Sequence, residues 1–257
     1  MIVTTRLTVR DKKIPRAFSG FRILQITDLH DAQFGPEQRD LLAEVKKARP
    51  DMIALTGDFV GSAESDLDRM LRFLGKLPEI APAYYVTGNH EIRLKPEDFD
   101  RFVAGIADAG ITVLRNALTE VRRGDAGLQV LGIDDPGFVN GEDWHNDPQA
   151  VRAALDAIPY DPGRFTLLLS HRPEVIRVYA EKGIDLVLSG HTHGGQIRLP
   201  LIGAFYVPMQ GWFPKYDRGL FTEGKTRVFI CTGLGASVVR FRFNVPPELA
   251  LITLESE

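Results

Sequence analysis

Apolar and polar positions alternate over 4–9, which predicts an edge strand with one face exposed. A denser apolar run over 21–26 predicts the first interior strand, and Thr27-Asp28-Leu29-His30 follows at its end. Over 38–48, Leu41, Leu42 and Val45 recur at helical spacing and Pro50 closes the segment, the pattern of an amphipathic helix. The rhythm then repeats. A strand over 52–55 ends in Thr56-Gly57-Asp58, and a helix over 65–77 puts Leu67, Met70, Leu71 and Leu74 on one face. A strand over 83–86 ends in Thr87-Gly88-Asn89-His90-Glu91, and a helix over 96–109 follows. Crossovers of this length join parallel strands.

Beyond residue 110 the pattern changes. Short apolar runs over 111–114, 119–122 and 128–133 have hairpin-length connections, which suggests antiparallel pairing in a second sheet. A helix over 148–157 leads to a strand over 165–169 ending in Ser170-His171. A helix over 173–182 leads to a strand over 184–188 and the loop Ser189-Gly190-His191-Thr192-His193-Gly194-Gly195. Runs over 227–231 and 249–254 complete the strands. With no internal repeat, low-complexity tract or linker, the expectation is one domain over 1–257. Its fold class is α/β (α+β): a four-layer αββα sandwich, two mixed β-sheets packed face to face with helices outside. The polar loops fall at strand C-termini, where open α/β sheets place their ligands.

Those loops carry the candidate chemistry. In an extended segment, side chains two apart share a side, so Asp28 with His30, and His191 with His193, would each project together. Five of the six histidines lie in strand-end loops, His145 being the exception. Asp58, Asn89 and His171 complete a set of seven oxygen and imidazole ligands. That exceeds the needs of one ion and suits two divalent ions sharing a carboxylate. Paired ions polarise a phosphoryl group and lower the pKa of a bridging water. Mixed N/O donors without thiolate favour Mn²⁺, with Fe or Zn²⁺ as alternatives.

The series Asp28-x-His30, Gly57-Asp58, Gly88-Asn89-His90-Glu91, His171 and Gly190-His191-x-His193 resembles the calcineurin-like metallophosphoesterases in residue type and order, across about 165 residues. The resemblance implies one metal on Asp28, His30, Asp58 and His193, and another on Asp58, Asn89, His171 and His191. It implies that His90, beside Asn89, stabilises the transition state or protonates the leaving oxygen. One departure is that Gly61 stands where the second block commonly carries Arg or Asp. Gly194-Gly195-Gln196, Pro200-Leu201-Ile202-Gly203, Lys215-Tyr216-Asp217-Arg218-Gly219 and Thr232-Gly233-Leu234-Gly235 resemble the bacterial YkuE-like phosphodiesterase branch. The implied activity is phosphodiester hydrolysis by a metal-bridging hydroxide. The alternatives are hydrolysis of a UDP-2,3-diacylglucosamine-type pyrophosphate and, from another class, a non-catalytic scaffold of the same fold.

Composition narrows the partners. A formal net charge of −3 supplies no broad basic field, so no nucleic acid is expected; the substrate would be a small or lipid-linked phosphoester. The first 20 residues are basic without an apolar core, and no run approaches the ~20 apolar residues that span a bilayer. The expected location is cytoplasmic, with peripheral membrane association or a truncated exported form as alternatives. Phe205, Tyr206, Val207, Met209, Trp212, Phe213 and Tyr216 make the segment 203–216 aromatic-rich, and glycines and prolines predict an irregular loop. Its rings either pack as core or form a lip for an apolar substrate or membrane surface. Asp134 and Asp135 read as a turn before Pro136, and Cys231 as a buried small hydrophobe. Asp31 is a neighbour of the first block. Arg240 and Arg242 alternate with Phe241 and Phe243, which points both arginines to solvent.

Overall fold

The computed structural model describes residues 1–141, 147–199, 203–204, 206–207, 210–237 and 241–257. His145, Pro200, Leu201, Ile202, Phe205, Met209 and Arg240, singled out above, lie outside the described residues.

The first half runs β1 (Val3–Asp11), β2 (Phe21–Ile26), α1 (Arg39–Ala48), β3 (Met52–Thr56), α2 (Leu67–Leu74), β4 (Ala83–Val86), α3 (Pro96–Asp108) and β5 (Thr112–Val113). The second half runs β6 (Ala117–Arg123), β7 (Ala126–Gly132), α4 (Gly137–Asn140), α5 (Pro148–Asp156), β8 (Thr166–Leu169), α6 (Ile176–Glu181) and β9 (Leu186–Ser189). Short strands β10 (Arg198–Leu199), β11 (Gly203–Ala204), β12 (Tyr206–Val207) and β13 (Gly211–Trp212) precede β14 (Gly219–Glu223), β15 (Thr226–Ile230) and β16 (Glu248–Ser256).

One sheet has the order β1-β16-β2-β3-β4-β5, the other β14-β15-β9-β8-β7-β6. In the first, β2, β3, β4 and β5 run parallel, while β16 and β1, parallel to each other, run the opposite way. The run over 111–114, expected in the second sheet, instead adds β5 to the first, parallel to β4. In the second sheet, β7, β8, β9 and β15 are parallel. Antiparallel pairing is confined to the hairpins β6–β7 and β14–β15, because α5 and α6 return the chain between the inner strands.

Three apolar layers account for the continuous hydrophobic strand runs, since inner strands are covered on both faces. Ile23, Met52, Ala54 and Val86 face Leu128, Val130, Leu167, Leu169 and Leu188 between the sheets. On the outer face of the first sheet, Leu24, Ile53 and Leu55 pack on Leu41, Met70, Leu74 and Phe102. On that of the second, Leu168, Val187 and Ile230 pack on Val151, Leu155, Ile176 and Tyr179. The result is helix–sheet–sheet–helix, with both sheets ending their parallel strands at one edge. Cys231 is fully buried in the layer between the sheets.

The segment 203–216 is less irregular than its glycines and prolines predict: β11 pairs with β10, and β12 with β13, as two small antiparallel ladders. Val207 and Ala204 are buried, but Trp212 and Phe213 are 63% and 64% exposed, so these two rings are not core.

Candidate metal centre

Each candidate residue sits just past a strand end. The loops after β2, β3 and β4 bring Asp28, His30, Asp58, Asn89 and His90 from the first sheet. Those after β8 and β9 bring His171, His191 and His193 from the second. All are buried or nearly so, and the residues form two overlapping groups. Asp28, His30, Asp58 and His193 bring their ligand atoms within 4.8 Å of one another, as do Asp58, His171 and His191. Asn89 joins the second group, its Oδ1 2.9 Å from His191 Nδ1.

Asp58 stands in the middle. Its Oδ2 is 3.2 Å from His171 Nε2, 3.5 Å from His30 Nε2 and 3.9 Å from His90 Nε2. Its Oδ1 accepts from the His90 N–H at 2.8 Å. Asp28 Oδ1 lies 3.4 Å from His193 Nε2, and the Asp28 carboxylate accepts from Thr27 Oγ1 and from the His191 N–H. His30 Nε2 and His193 Nε2 meet at 3.1 Å.

The convergence is not made by extended backbone, as the i, i+2 spacings had predicted. Asp28, His30, Asp58, His191 and His193 all have φ between 44° and 74°, the left-handed region that non-glycine residues rarely occupy. Each such residue costs about 1–3 kcal/mol, a concentration of strain typical of functional sites. The loops turn sharply enough to send His191 and His193 into different groups, His191 beside His171 and His193 beside His30. Between them Thr192 Oγ1 donates to the Asp217 carbonyl at 2.6 Å.

Burial and close charges shift most of these groups. Burial pushes the Asp28 carboxyl up to about 7 and the His30 imidazole down to about 3. Burial likewise holds His191 and His193 well below the ordinary histidine range. Burial opposes charge on Asp58 too, but His171 and His90 outweigh it and keep the carboxyl low. His171 is raised to about 10 against burial by the Asp58 and Asp28 carboxylates. His171 Nδ1 donates to the Thr56 carbonyl at 2.7 Å, which leaves its buried Nε2 turned to the Asp58 carboxylate. A second hydrogen bond that fixes the tautomer while the other nitrogen faces carboxylates is the arrangement of a metal-ligating histidine. The donor set fits divalent cations.

His90 lies against His30 at 4.3 Å between ring centroids. Its Nδ1 is 2.9 Å from the Gly61 carbonyl, and its Nε2 is 3.2 Å from Ser237 Oγ. Arg93 Nη1 stands 3.1 Å from the same Nδ1. The Gly61 position, where the sequence departs from the common motif, thus carries His90 through its backbone. Asp31 does not enter the ligand groups: its Oδ2 accepts from the Gly61 N–H at 2.9 Å and from Ser65 Oγ at 2.5 Å.

Three supporting groups escaped the sequence reading. Glu91, fully buried, accepts N–H bonds from Asp58, Phe59 and Gly88 at 3.0, 2.9 and 2.8 Å, tying the β3 loop to the β4 loop. Its place in Gly88-Asn89-His90-Glu91 was the available signal. Arg172, also fully buried, grips Asp135 through Nε and Nη2 at 2.6 and 3.0 Å. Asp135 does form the expected turn, accepting from the Gly137 N–H, while Asp134 pairs with Arg115; neither joins the ligand groups. Arg242 does not face solvent: its guanidinium donates to the Thr232 and Gly233 carbonyls beside the centre.

Next to the histidine loop, Phe243 N–H donates to the Gln196 carbonyl and Arg198 N–H to that of Phe243. This brings exposed Phe241 and Phe243 to the loop that leads into exposed Tyr206, Trp212 and Phe213.

The model of the calcineurin-like phosphoesterase family matches residues 21–195. The metallophosphoesterase YkuE of Bacillus subtilis is 27% identical over 266 residues, which cover 100% of this chain and 86% of that protein. The phosphodiesterase YaeI of Escherichia coli is 31% identical over 243 residues, 91% and 82% of the two chains. The UDP-2,3-diacylglucosamine pyrophosphatase LpxG of Chlamydia muridarum is 28% identical over 291 residues, 96% and 88% of the two. Among solved structures, the sulfate thiohydrolase SoxB of Thermus thermophilus superposes with a TM-score of 0.51 at 18% identity, over 83% of this chain and 52% of that one. That likeness is one of fold.

Proposed function

Because the chain belongs to the calcineurin-like phosphoesterase family, and is therefore a metal-dependent phosphoester hydrolase, we propose that its strand-end cluster holds two divalent ions and hydrolyses phosphodiesters. The observation that carries this is the Asp58 carboxylate, the one residue common to both ligand groups. Asp28, His30, Asp58 and His193 would hold one ion, and Asp58, Asn89, His171 and His191 the other. Ions held there supply Lewis acidity toward a phosphoryl oxygen and lower the pKa of a bound water. The nitrogen and oxygen donors, without thiolate, favour Mn²⁺, with Fe or Zn²⁺ next.

The chain's own groups do the rest. Asp28 and Asp58 bind and orient, fixed by hydrogen bonds from the His191 and His90 N–H groups. With Nδ1 committed to the Gly61 carbonyl, His90 presents Nε2 to the centre. A ring protonated at both nitrogens would pass the Nε2 proton, or a hydrogen bond from it, to the departing oxygen and be left neutral with Nδ1–H still on Gly61. Preference for diesters draws support from the likeness to the phosphodiesterase YaeI.

A second reading moves the bond to a nucleotide-lipid pyrophosphate. The likeness to LpxG and the exposed rings of Tyr206, Trp212, Phe213, Phe241 and Phe243 beside the histidine loop favour it. The same rings are the place for peripheral contact with a membrane surface. No helix among the described residues is long and apolar enough to cross a membrane.

The test is a Mn²⁺-reconstituted assay across a monoester, a simple diester, a cyclic nucleotide and a UDP-diacylglucosamine. Fastest turnover of the diesters supports the first reading, and of the nucleotide-lipid the second. A metal-loaded protein silent on all four contradicts both.

A further inference from the structure

Behind the second ligand group lies a buried charged cluster that the proposed chemistry does not use. Arg172, held by both oxygens of Asp135, puts its Nη1 3.2 Å from His191 Nε2. Glu174, from the turn before α6, brings Oε1 to 3.4 Å from that same nitrogen. The Glu174 side chain is 7% exposed, and neither carboxylate oxygen has a hydrogen-bond partner among the described residues. Burial raises its pKa against the pull of Arg172. A buried carboxylate without a donor is costly and calls for an explanation.

The imidazole of His191 supplies one. Its Nδ1 is 2.9 Å from Oδ1 of Asn89, itself a proposed ligand of the same ion. Ligation through Nδ1 requires that nitrogen to be unprotonated, which puts the ring's single N–H proton on Nε2. Arg172 is a donor only: in the metal-free chain its Nη1 donates to Nε2 while Nδ1 donates to Asn89 Oδ1, and ligation through Nδ1 moves the ring proton to Nε2 and replaces that bond. The acceptor facing Nε2 is Glu174 Oε1, a few tenths of an ångström beyond the usual N–H···O distance of about 2.9 Å.

We propose that Glu174 is a positioning residue for His191: on ligation it accepts the Nε2–H in place of the bond from Arg172, so fixing the tautomer that leaves Nδ1 free to ligate. Glu174 gains the donor it lacks, and His191 becomes a stronger ligand. Carboxylate partners of this kind orient metal-ligating histidines, and their loss costs about 10–100-fold in metal affinity or activity. The inference rests on ligation by His191, which belongs to the proposed function.

The experiment is calorimetric titration of Mn²⁺ into the metal-free full chain, for wild type, Glu174→Leu and Glu174→Gln, with melting temperatures of the metal-free proteins alongside. Glu174→Leu should weaken one of two binding steps by about 10–100-fold and leave the other unchanged. Glu174→Gln, whose amide oxygen still accepts the Nε2–H, should recover most of that loss. Wild-type affinity for both ions in Glu174→Leu overturns the proposal. So does equal weakening of both steps, or a Glu174→Gln protein as impaired as Glu174→Leu. Failure of the wild type itself to take a second ion would instead remove the two-ion reading, and this inference with it.

Discussion

Asp58 lies within 4 Å of imidazoles from three separate loops, with its backbone in the left-handed region and its own N–H given to Glu91. Glu91 is therefore a sensitive residue for the geometry of the site. Glu91→Ala leaves three N–H groups without their acceptor, and each unsatisfied buried group costs about 1–3 kcal/mol. Thermal denaturation should show a clear fall in stability, and metal titration a weaker hold on both ions, since both share Asp58. A variant as stable as wild type would mean that the β3 and β4 loops hold together without it. His90→Ala should behave differently, keeping its metals and losing turnover. The loss should be about 10²–10⁴-fold on a diester with a poor leaving group and much smaller with nitrophenolate, which departs without a proton. Equal losses on both would make His90 a phosphate-positioning group instead. At this scale the sequence showed which residues meet, because each stood beside a glycine or a small polar residue at a strand end. It did not show how they meet. Left-handed backbone at Asp28, His30 and Asp58 depends on packing against loops more than 25 positions away, as in the bond from the Asp28 N–H to the Gly57 carbonyl. For the same reason Arg172 and Asp135 gave no local sign of pairing.

Loops cross so closely at the shared sheet edge that glycine is required where they touch. A Cβ added at Gly190 would lie 2.1 Å from Asp28 Oδ2 and 2.3 Å from Thr27 Oγ1. Gly190→Ala must push Asp28 out of place, so metal content should fall while far-ultraviolet circular dichroism stays native. An unchanged metal content would show that Asp28 is dispensable. The lip makes the opposite prediction. Because Trp212 and Phe213 are mostly exposed, replacing both with alanine should change stability within about 0.5 kcal/mol. Hydrolysis of substrates with acyl or aryl groups should weaken while small diesters are spared. A large fall in melting temperature, with every substrate affected alike, would mean that the rings support the fold. Interior elements were the most legible part of the chain, since β3 and β4 are apolar runs bounded by polar loops. Elements shaped by the site were less so. α6 begins three residues later than its periodicity suggests, because 172–175 bend around His171 to bring Arg172 and Glu174 behind His191. β14 was missed because its alternating half-buried pattern is weak over five residues.

Over the whole molecule, two sheets that each end their parallel strands at one edge bring five loops together, and the inter-sheet core holds them in register. The layered architecture was legible because buried parallel strands announce themselves as apolar runs, with helices between them. Which sheet received the run over 111–114 was not, since two paired residues carry too little pattern to choose a partner. The central claim is that the two halves of this edge act through two ions joined at Asp58. Its most direct test is hydrolysis of a simple phosphodiester measured against Mn²⁺ bound per chain, starting from metal-free protein. The account predicts little turnover up to one ion and a rise to a plateau at two, lost in Asp58→Asn. Full activity at one ion per chain, or saturation with metal and no hydrolysis, would contradict it.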